Sequence, residues 1–374
     1  MIPIVASMAP DEWYNNETYY QTKYSRWNGL VTRNPVVRQI IEIRAASVFS
    51  SWAIKGPHRK EAERMLDNIR GRNGETFKQI MANLYKIAYI SGDAYAEIVW
   101  DESGPEEGLI ARMEILPSDN IRQIIDKGEI KRYEEIDGYG SWKPKWTSQE
   151  GTLSRIFHVR YNPRGAITHG LGMIEALNNV LVSREQLMQV GQDIYERMSQ
   201  PKQMLLANTS HEDGLKLLRD AVKAAGDTWN GIAVVPGRLV DRVETLTLNP
   251  SLKPQEFLDY LDKEIFKATA TPEIVLGTGY STSEEDAKTR IAGFMGSIRY
   301  DQEIWEEDVQ RQLFTQIWPT NPPEVEFSFT QEAYDAMYNR IQGSLPVIES
   351  LTNVAPENKE MMIKEKLKEM GMIT

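Results

Sequence analysis

Apolar side chains recur with a helical period near the start of this sequence. The pattern predicts a helix over 35–55, for which Asn34 is suited to the N-cap and Pro35 to the first turn. A second amphipathic helix is predicted over 76–91, and Gly92 interrupts it. Both helices are expected to bury one face in a core.

Residues 1–35 are rich in aromatic side chains, among them Trp13, Tyr20 and Trp27. Aromatic side chains are frequent anchors of protein interfaces. We therefore expect this segment either to form an arm that packs on a neighbouring subunit or to pack on its own domain, and both alternatives stay open.

Between about 93 and 160 the pattern changes to short alternating runs, which is typical of a small antiparallel β region. Turn residues separate the runs. The predicted strands are 94–100, 109–116, 121–125, 131–136 and 156–160. Residues 137–150 contain Gly, Tyr, Trp, Lys and Pro, and are predicted to form an exposed loop.

Two long helices with a small α/β unit between them are predicted in the second half. The first helix spans about 173–198, is roughly 39 Å long, and ends before Pro201. The second spans Pro254–Ala270 and ends at Thr271 and Pro272. The unit between them is predicted to contain strands at 204–207, 231–236 and 243–248 and a helix at 211–225.

A loop of small residues and the longest predicted helix follow. The helix is expected over about 283–317, and Thr282 with Glu285 forms a capping-box signature at its start. Gly293 and Gly296 lie inside this helix. Each glycine costs about 1 kcal/mol relative to alanine, so we predict a kink or a close backbone contact there. A strand at 324–329 and helices at about 331–350 and 356–370 are predicted for the remainder.

The composition is that of a globular protein. The chain has 374 residues, of which 41% are hydrophobic and 26% charged. No apolar stretch approaches the length of a membrane span. The N-terminus lacks the basic region of a signal peptide, so synthesis inside a cell is expected.

The sequence lacks the residues and motifs that most kinds of catalytic site require. Cysteine is absent, and the four histidines are far apart, so each is expected to be a surface or packed side chain. No Gly-Lys dipeptide exists to form a P-loop, and no G-x-S-x-G motif is present. The acids Glu284, Glu285 and Asp286 are suited to the first turn of a helix. We predict no catalytic residue, no metal site and no cofactor.

The formal net charge is −11. Proteins that hold nucleic acid tightly show a basic footprint, because neutralising phosphates supplies much of the affinity. This chain either does not meet nucleic acid, or meets DNA that has to slide past without sticking. Composition alone leaves both alternatives open.

Three segments resemble the portal proteins of tailed double-stranded DNA viruses. Residues 91–95, Ser-Gly-Asp-Ala-Tyr, are similar to the family's G-N-A-Y, with Asp93 in place of Asn. Residues 170–176, Gly-Leu-Gly-Met-Ile-Glu-Ala, resemble G-x-S-P-L-x-x-A, although Gly172-Met173 replaces the Ser-Pro pair. Residues 270–277 resemble V-P-P-x-x-L-G, with one proline missing. The order of the predicted parts over 75–330 agrees with this resemblance.

The resemblance implies an α+β, mainly helical portal fold. Its implied parts are an N-terminal arm and wing at 1–172, a first stem helix at 173–200, an α/β clip at 201–252, a second stem helix at 253–271, the tunnel loop, long kinked helix and wing strand at 272–330, and a short helical crown at 331–374.

The resemblance also implies a non-enzymatic function. Portal proteins form a ring, twelve-fold in the virion, at one capsid vertex, through which DNA is packaged and ejected. The implied partners are the large terminase, the major capsid or scaffold protein and a head-completion or tail adaptor, with assembly in the host cytoplasm and no membrane. Twelve copies at −11 each carry a formal charge of −132 (12 × 11), which would repel DNA phosphate and limit sticking.

The resemblance assigns roles to four sets of residues. The tunnel loop is expected to face DNA through Thr278, Gly279, Tyr280, Ser281, Thr282 and Ser283. Lys288 and Arg290 are expected either to contact DNA phosphate or to pair with nearby acids on the helix. The helix kink is assigned to Gly293 and Gly296, and a partner surface on the clip to Lys202, Arg238 and Arg242.

Two other classes of protein compete with this interpretation. One is a different viral connector or capsid structural protein. The other is a metal-dependent nuclease or hydrolase that uses the acidic clusters, and metal-dependent turnover by the purified chain would support it.

Overall fold

The computed structural model describes the backbone of residues 18–101, 108–126, 128–147, 152–163, 168–199, 202–207, 211–226, 240–246, 254–276 and 284–329. The chain divides into two compact units. One consists of Met1–Val182 with Leu261–Thr374, and the other of Ser183–Tyr260. The described part is a mixture of helix and antiparallel sheet in which helix predominates, so the predicted fold class is confirmed.

Four helices form the helical layer at the start of the first unit. They are α1 (Tyr24–Arg33), α2 (Pro35–Val48), α3 (Arg59–Asn68) and α4 (Phe77–Ser91). The side chain of Asn34 caps α2 by accepting a hydrogen bond from the amide of Val37 at 3.3 Å. Thr76 and Gln79 form a complete capping box at α4. The predicted starts of both helices are therefore confirmed.

Two antiparallel sheets follow α4. The larger has the strand order β1 (Thr18–Gln21), β5 (Ile121–Asp126), β6 (Glu129–Ile136) and β7 (Trp142–Thr147). The smaller has β3 (Asp93–Trp100) in its centre, between β4 (Ile110–Leu116) and β8 (Ile156–Arg160). The predicted antiparallel region between 93 and 160 is confirmed.

The prediction of an exposed loop over 137–150 is wrong for its second half. Residues 142–147 form β7, which pairs with β6 along one edge of the larger sheet. Trp146 is buried beside Tyr95 and Tyr133, while Lys143 and Pro144 face solvent. Proline is tolerated on an edge strand because its missing amide is not needed there, so the composition alone was misleading.

The predicted helix over 35–55 is also too long. The helix ends at Val48, and residues 51–55 form β2, which pairs with β11 (Glu324–Ser328). The partner strand lies some 270 positions further along the chain, so no local pattern could reveal the pairing. The strand predicted at 324–329 is confirmed.

The N-terminal segment packs on its own unit wherever it is described. β1 pairs with β5 of the same chain, and Trp27 is buried in the core. This supports packing on the segment's own domain from residue 18 onward. Residues 1–17, which include Trp13, lie outside the described part.

Two long helices belong to both units, and a third belongs to the first. They are α5 (Met173–Ser199), α7 (Pro254–Ala268) and α8 (Glu284–Val309). The second unit also contains β9 (Lys202–Ala207), α6 (Glu212–Gly226) and β10 (Val240–Leu246), and its two strands pair antiparallel. The helices predicted at 331–350 and 356–370 and the strand at 231–236 lie outside the described residues.

Beside a smaller apolar cluster that includes Tyr95 and Trp146, the first unit has a large apolar core. Residues of α2, α4 and α8 meet in it, including Ile40, Leu84, Phe294 and Trp305. In the part of the chain that was described, no helix has the length and apolar character needed to cross a membrane.

Candidate functional site

The predicted tunnel loop, Thr278–Ser283, lies outside the described residues, but both of its flanks are described. On one side α7 ends at Ala268 and a single turn of 3₁₀-helix follows at Glu273–Leu276, with Ile274 and Val275 buried. On the other side α8 begins at Glu284. Both flanks of the loop are therefore regular structure that packs in part on the core.

The remaining predicted residues lie on regular elements. Arg290 is exposed on α8, and Lys288 is on the same helix with its side chain outside the description. Lys202 lies on β9 and Arg242 on β10, again without described side chains, and Arg238 is outside the described part. The roles assigned to these four residues stay predictions.

Gly293 and Gly296 lie inside α8 without a change of helix type. A methyl group at either position would meet no atom within 4 Å, so the alternative of a close backbone contact is not found among the described residues. The helix departs from α geometry later, at a π turn formed by Gln310–Phe314. The predicted kink at the two glycines stays a prediction.

Three glycines bring two of the family-like segments into backbone contact. Gly92 has a positive φ of 99°, and a methyl group there would clash with the carbonyl of Gly170. A methyl group on Gly170 would clash with the carbonyl of Gly92, and one on Gly172 with that of Ile90. Only glycine permits this approach. We call this contact, formed by Gly92, Gly170 and Gly172, the glycine junction.

Hydrogen bonds complete the glycine junction. The amide of Tyr161 donates to the carbonyl of Gly92 at 2.7 Å, and the amide of Leu171 donates to the carbonyl of Tyr161 at 2.8 Å. The end of α4, the end of β8 and the residues that precede α5 are thus joined through their backbones. The start of the first long helix is consequently held at a defined place on the sheet.

Asp93, which stands where the family has Asn, is buried at this junction. Its carboxylate accepts a hydrogen bond from the backbone amide of Gly170 at 3.2 Å and lies 2.7 Å from His158 Nε2. Gln123 Nε2 also donates to it, at 3.3 Å. His158 is buried, as the sequence allowed for a packed histidine, and its Nδ1 lies 3.0 Å from the hydroxyl of Tyr133.

Burial keeps the neighbouring groups uncharged. It raises the pKa of Tyr95 and Tyr133 far above the ordinary tyrosine value, and the charge of Asp93 raises both further. Burial lowers the pKa of His169, whose ring lies next to the junction and is tilted by 48° against the ring of Tyr20. The tyrosine hydroxyls therefore remain protonated across the physiological range, and His169 resists protonation.

A buried arginine connects α2 with α8 and with the end of α7. Arg44 lies on α2, and its side chain is 3% exposed. Its Nη2 donates to Asp301 Oδ2 at 2.7 Å, and its Nη1 donates to the carbonyl of Thr269 at 3.0 Å and to the hydroxyl of Ser297 at 3.1 Å. Its Nε donates to the hydroxyl of Tyr85 at 3.2 Å. We call these five residues the arginine clamp.

The arginine clamp is an ionised pair inside an aromatic shell. Burial alone would lower the pKa of Arg44, but its interactions with Tyr85, Tyr89 and Asp301 outweigh burial and raise it above the ordinary value. The Tyr85 hydroxyl donates to Asp301 at 2.5 Å, and burial raises the pKa of Tyr85 well above normal. Arg44 therefore stays charged, with each of its three nitrogens hydrogen-bonded.

The chain reverses direction just after α7, next to the clamp. Ala270 has a φ of 49°, in the left-handed region that glycine usually occupies. The amide of Thr271 donates to the carbonyl of Phe266, and that of Ala270 to the carbonyl of Lys267, which is the Schellman pattern of helix ends. The carbonyl of Thr269 is thereby left to accept from Arg44.

A shallow cleft of about 270 Å³ lies beside β8. Its lining includes Tyr133, His158, Arg160, Arg311 and Gln312. Gln312, in the π turn, accepts from the amide of His158 and donates to its carbonyl, both at 2.8 Å. Among the described residues no group of three or more histidines and carboxylates could hold a metal ion.

The sequence pattern does not mark Asp93, His158, Arg44 and Asp301 as members of a site. The only available signals were a charged residue inside the apolar pattern of α2 and an acid beside Gly92. Their partners lie 65 and 257 positions away in the sequence, so the groups become visible only in the fold.

Comparisons with known proteins give a family and a fold for this chain. A family model described as phage portal protein matches residues 58–343. A search of curated protein sequences finds no match. The chain is similar in fold to the neck of an empty gene transfer agent particle computed with C6 symmetry, with a TM-score of 0.66 and 14% identity over 93% of this chain and 95% of that one.

Two further solved structures are similar. The neck of a native gene transfer agent particle computed with C12 symmetry has a TM-score of 0.61 and 14% identity, over 93% of this chain and 95% of that one. An HK97-family phage portal protein from Corynebacterium diphtheriae has a TM-score of 0.51 and 12% identity, over 82% and 97%. At such identities these structures support the fold.

Proposed function

The chain belongs to the phage portal protein family, and from this premise we propose that copies of it form a ring at one vertex of a capsid, through which DNA is packaged and ejected. The observation that carries the proposal is the family match, which extends over 286 of the 374 residues (58–343). The family is structural and non-enzymatic, so the chain is a portal protein and not an enzyme. The proposed location is the virion.

We propose a ring of twelve subunits in the particle. Support comes from the fold, which is similar to that of chains in necks computed with C6 and C12 symmetry. The net charge of −11 per chain also suits a DNA channel. A basic wall would hold phosphate in a salt-dependent way, whereas an acidic one limits sticking.

We propose that Thr278–Ser283 line the narrowest part of this channel. The support is their small polar composition and their position between α7 and α8. The arginine clamp ties the end of α7 to the middle of α8. Arg290 is exposed near the start of α8, where it could reach DNA phosphate together with Lys288.

The proposed partners are those of a portal in assembly. The unit between α5 and α7, with Lys202, Arg238 and Arg242, would contact the large terminase during packaging and a head-completion or tail adaptor afterwards. The major capsid or scaffold protein would contact the ring from outside during assembly in the host cytoplasm. Cross-links to terminase and adaptor that fall only on residues 331–374 would contradict this assignment.

The family membership favours this function over the two competing classes. Another connector or capsid protein would not match a portal family model over most of its length. A metal-dependent hydrolase is disfavoured because the matched family is structural and non-enzymatic.

Negative-stain electron microscopy and native mass spectrometry of the full-length chain test the proposal. We expect rings with an axial hole and about twelve subunits. A chain that stays monomeric both alone and when produced with its capsid or scaffold protein would contradict it. A second test compares Ser281→Trp, in the predicted channel, with Tyr139→Trp, at a hairpin tip where the side chain is 95% exposed. Only the first should reduce packaged DNA.

A further inference from the structure

The arginine clamp connects α2 with α7 and α8, which are far from it in the sequence. α7 and α8 lie on either side of the predicted channel segment, Thr278–Ser283. Arg44 contacts Thr269 just after α7 and Ser297 and Asp301 on α8. These two helices precede and follow the predicted channel segment. One side chain, supplied by α2, therefore ties the chain just before that segment to the middle of α8, at Ser297 and Asp301.

We infer that Arg44 is a positioning residue, which fixes the end of α7 against the middle of α8 and, given the proposed function, sets where the chain enters the narrowest part of the channel. The planar guanidinium has donors in fixed directions. Its three nitrogens are directed to a carbonyl, two hydroxyls and a carboxylate on two other helices and one helix end.

The bond to Thr269 is what makes this more than a stabilising ion pair. The last carbonyls of a helix have no partner within the helix, and a cation at that end also interacts favourably with the helix dipole. The reversal at Ala270 leaves the Thr269 carbonyl available, and the Thr271 hydroxyl is its second donor at 3.1 Å. A lysine at position 44 could keep the pair with Asp301 but could not reach all four groups.

A second arginine on α8 offers a matched control. Arg299 donates to Glu303, to Glu306 and to the carbonyl of Phe327 at 3.1 Å, so it ties α8 to β11 instead of α7. Its side chain is 45% exposed. Substitution of either arginine by lysine removes a guanidinium group that ties α8 to another element. Only Arg44→Lys removes the contact with the end of α7.

Hydrogen exchange of the full-length chain, followed by mass spectrometry, tests the inference. In Arg44→Lys we expect exchange at residues 266–271 to rise by about tenfold, the loss expected for one charge-assisted hydrogen bond. Exchange at the sheet residues 110–126 should not change. Arg299→Lys should loosen 324–328 and leave 266–271 as in the unmodified chain.

A purely structural role would give a different result. If Arg44→Lys raised exchange equally in all peptides, or left 266–271 unchanged, the inference would be overturned. If Arg44→Lys fails to fold, the triple variant Arg44→Met, Tyr85→Phe and Asp301→Leu removes the buried polar groups together. It should fold and show the same local loss at 266–271, and full protection there would overturn the inference.

The outcome is separable from the proposed function. Exchange at 266–271 reports on the clamp whether or not rings form. If no rings form, the ring proposal is contradicted and the inference about the clamp is unaffected. If rings form but exchange at 266–271 is unchanged in Arg44→Lys, the inference is contradicted and the ring proposal is unaffected.

Discussion

The glycine junction and the arginine clamp hold the ends of long helices by opposite means. At the glycine junction the absence of side chains at Gly92, Gly170 and Gly172 lets backbones approach until they bond directly. At the clamp the large cation of Arg44 fills the space and donates hydrogen bonds to four neighbouring groups. The first depends on shape and the second on charge, so they should respond differently to mutation and to pH.

The largest effect is expected at the clamp. Arg44→Met would leave the carboxylate of Asp301 buried without its cation, which costs about 3–5 kcal/mol. The free energy of unfolding, measured with urea, should fall by that amount. Adding Asp301→Leu and Tyr85→Phe should restore most of it, because the uncompensated polar groups are then gone. A full loss in the triple variant as well would show that packing, and not charge, governs this site.

A slightly smaller effect is expected at the glycine junction. Gly92→Ala adds a clash with a backbone carbonyl to the cost of a positive φ, so a loss of about 2–4 kcal/mol is expected. Gly56 has a similar φ of 81° but open space around it, so Gly56→Ala should cost only about 1 kcal/mol. Equal losses in the two urea titrations would remove the steric explanation.

A gain in stability is expected at Ala270, where the backbone next to the arginine clamp is strained. Ala270 occupies the left-handed region at the end of α7, and glycine there avoids the contact of the methyl group with the backbone. Ala270→Gly should raise the free energy of unfolding by about 0.5–1 kcal/mol. Thermal unfolding would detect this as a higher Tm, and an unchanged or lower Tm would mean that the methyl group makes compensating contacts.

The smallest effect separates the two regions by pH. Burial lowers the pKa of His169 in the folded protein below the ordinary value of 6.5, while Asp93 opposes the shift and His158 and Arg160 add to it. The unfolded chain then binds more protons, so stability should fall as the pH drops through about 6.5. His169→Gln should flatten this dependence in urea titrations, whereas Arg44 remains charged and should contribute none. A profile that His169→Gln leaves unaltered would contradict the assignment.

Local patterns predicted those parts of the fold whose cause is local. The cap at Asn34, the start of α4 near Thr76 and the break at Gly92 follow from the chemistry of neighbouring residues, and all three are found in the structure. β2 and β7 were not predicted. Their strand character depends on partners elsewhere, and β7 carries the lysines and proline of an edge strand.

The candidate site was less predictable for the same reason. The sequence shows the family-like segments at 91–95 and 170–176. It does not show that the glycines of these two segments touch each other. The clamp depends on a salt bridge between residues 257 positions apart. Neither composition nor periodicity records such a pairing, because a buried Arg and a buried Asp look like surface residues until the fold places them together.

The side-chain amide of Gln312 bears on the proposed assembly of many identical copies around one axis. β8 is an outer strand of its sheet, and an uncovered outer strand is a template on which another chain can add by main-chain pairing. Gln312 occupies both the amide and the carbonyl of His158 as a neighbouring strand would. The subunit thereby protects this edge with a single residue, and sideways growth into aggregates is hindered while other faces remain available for orderly assembly.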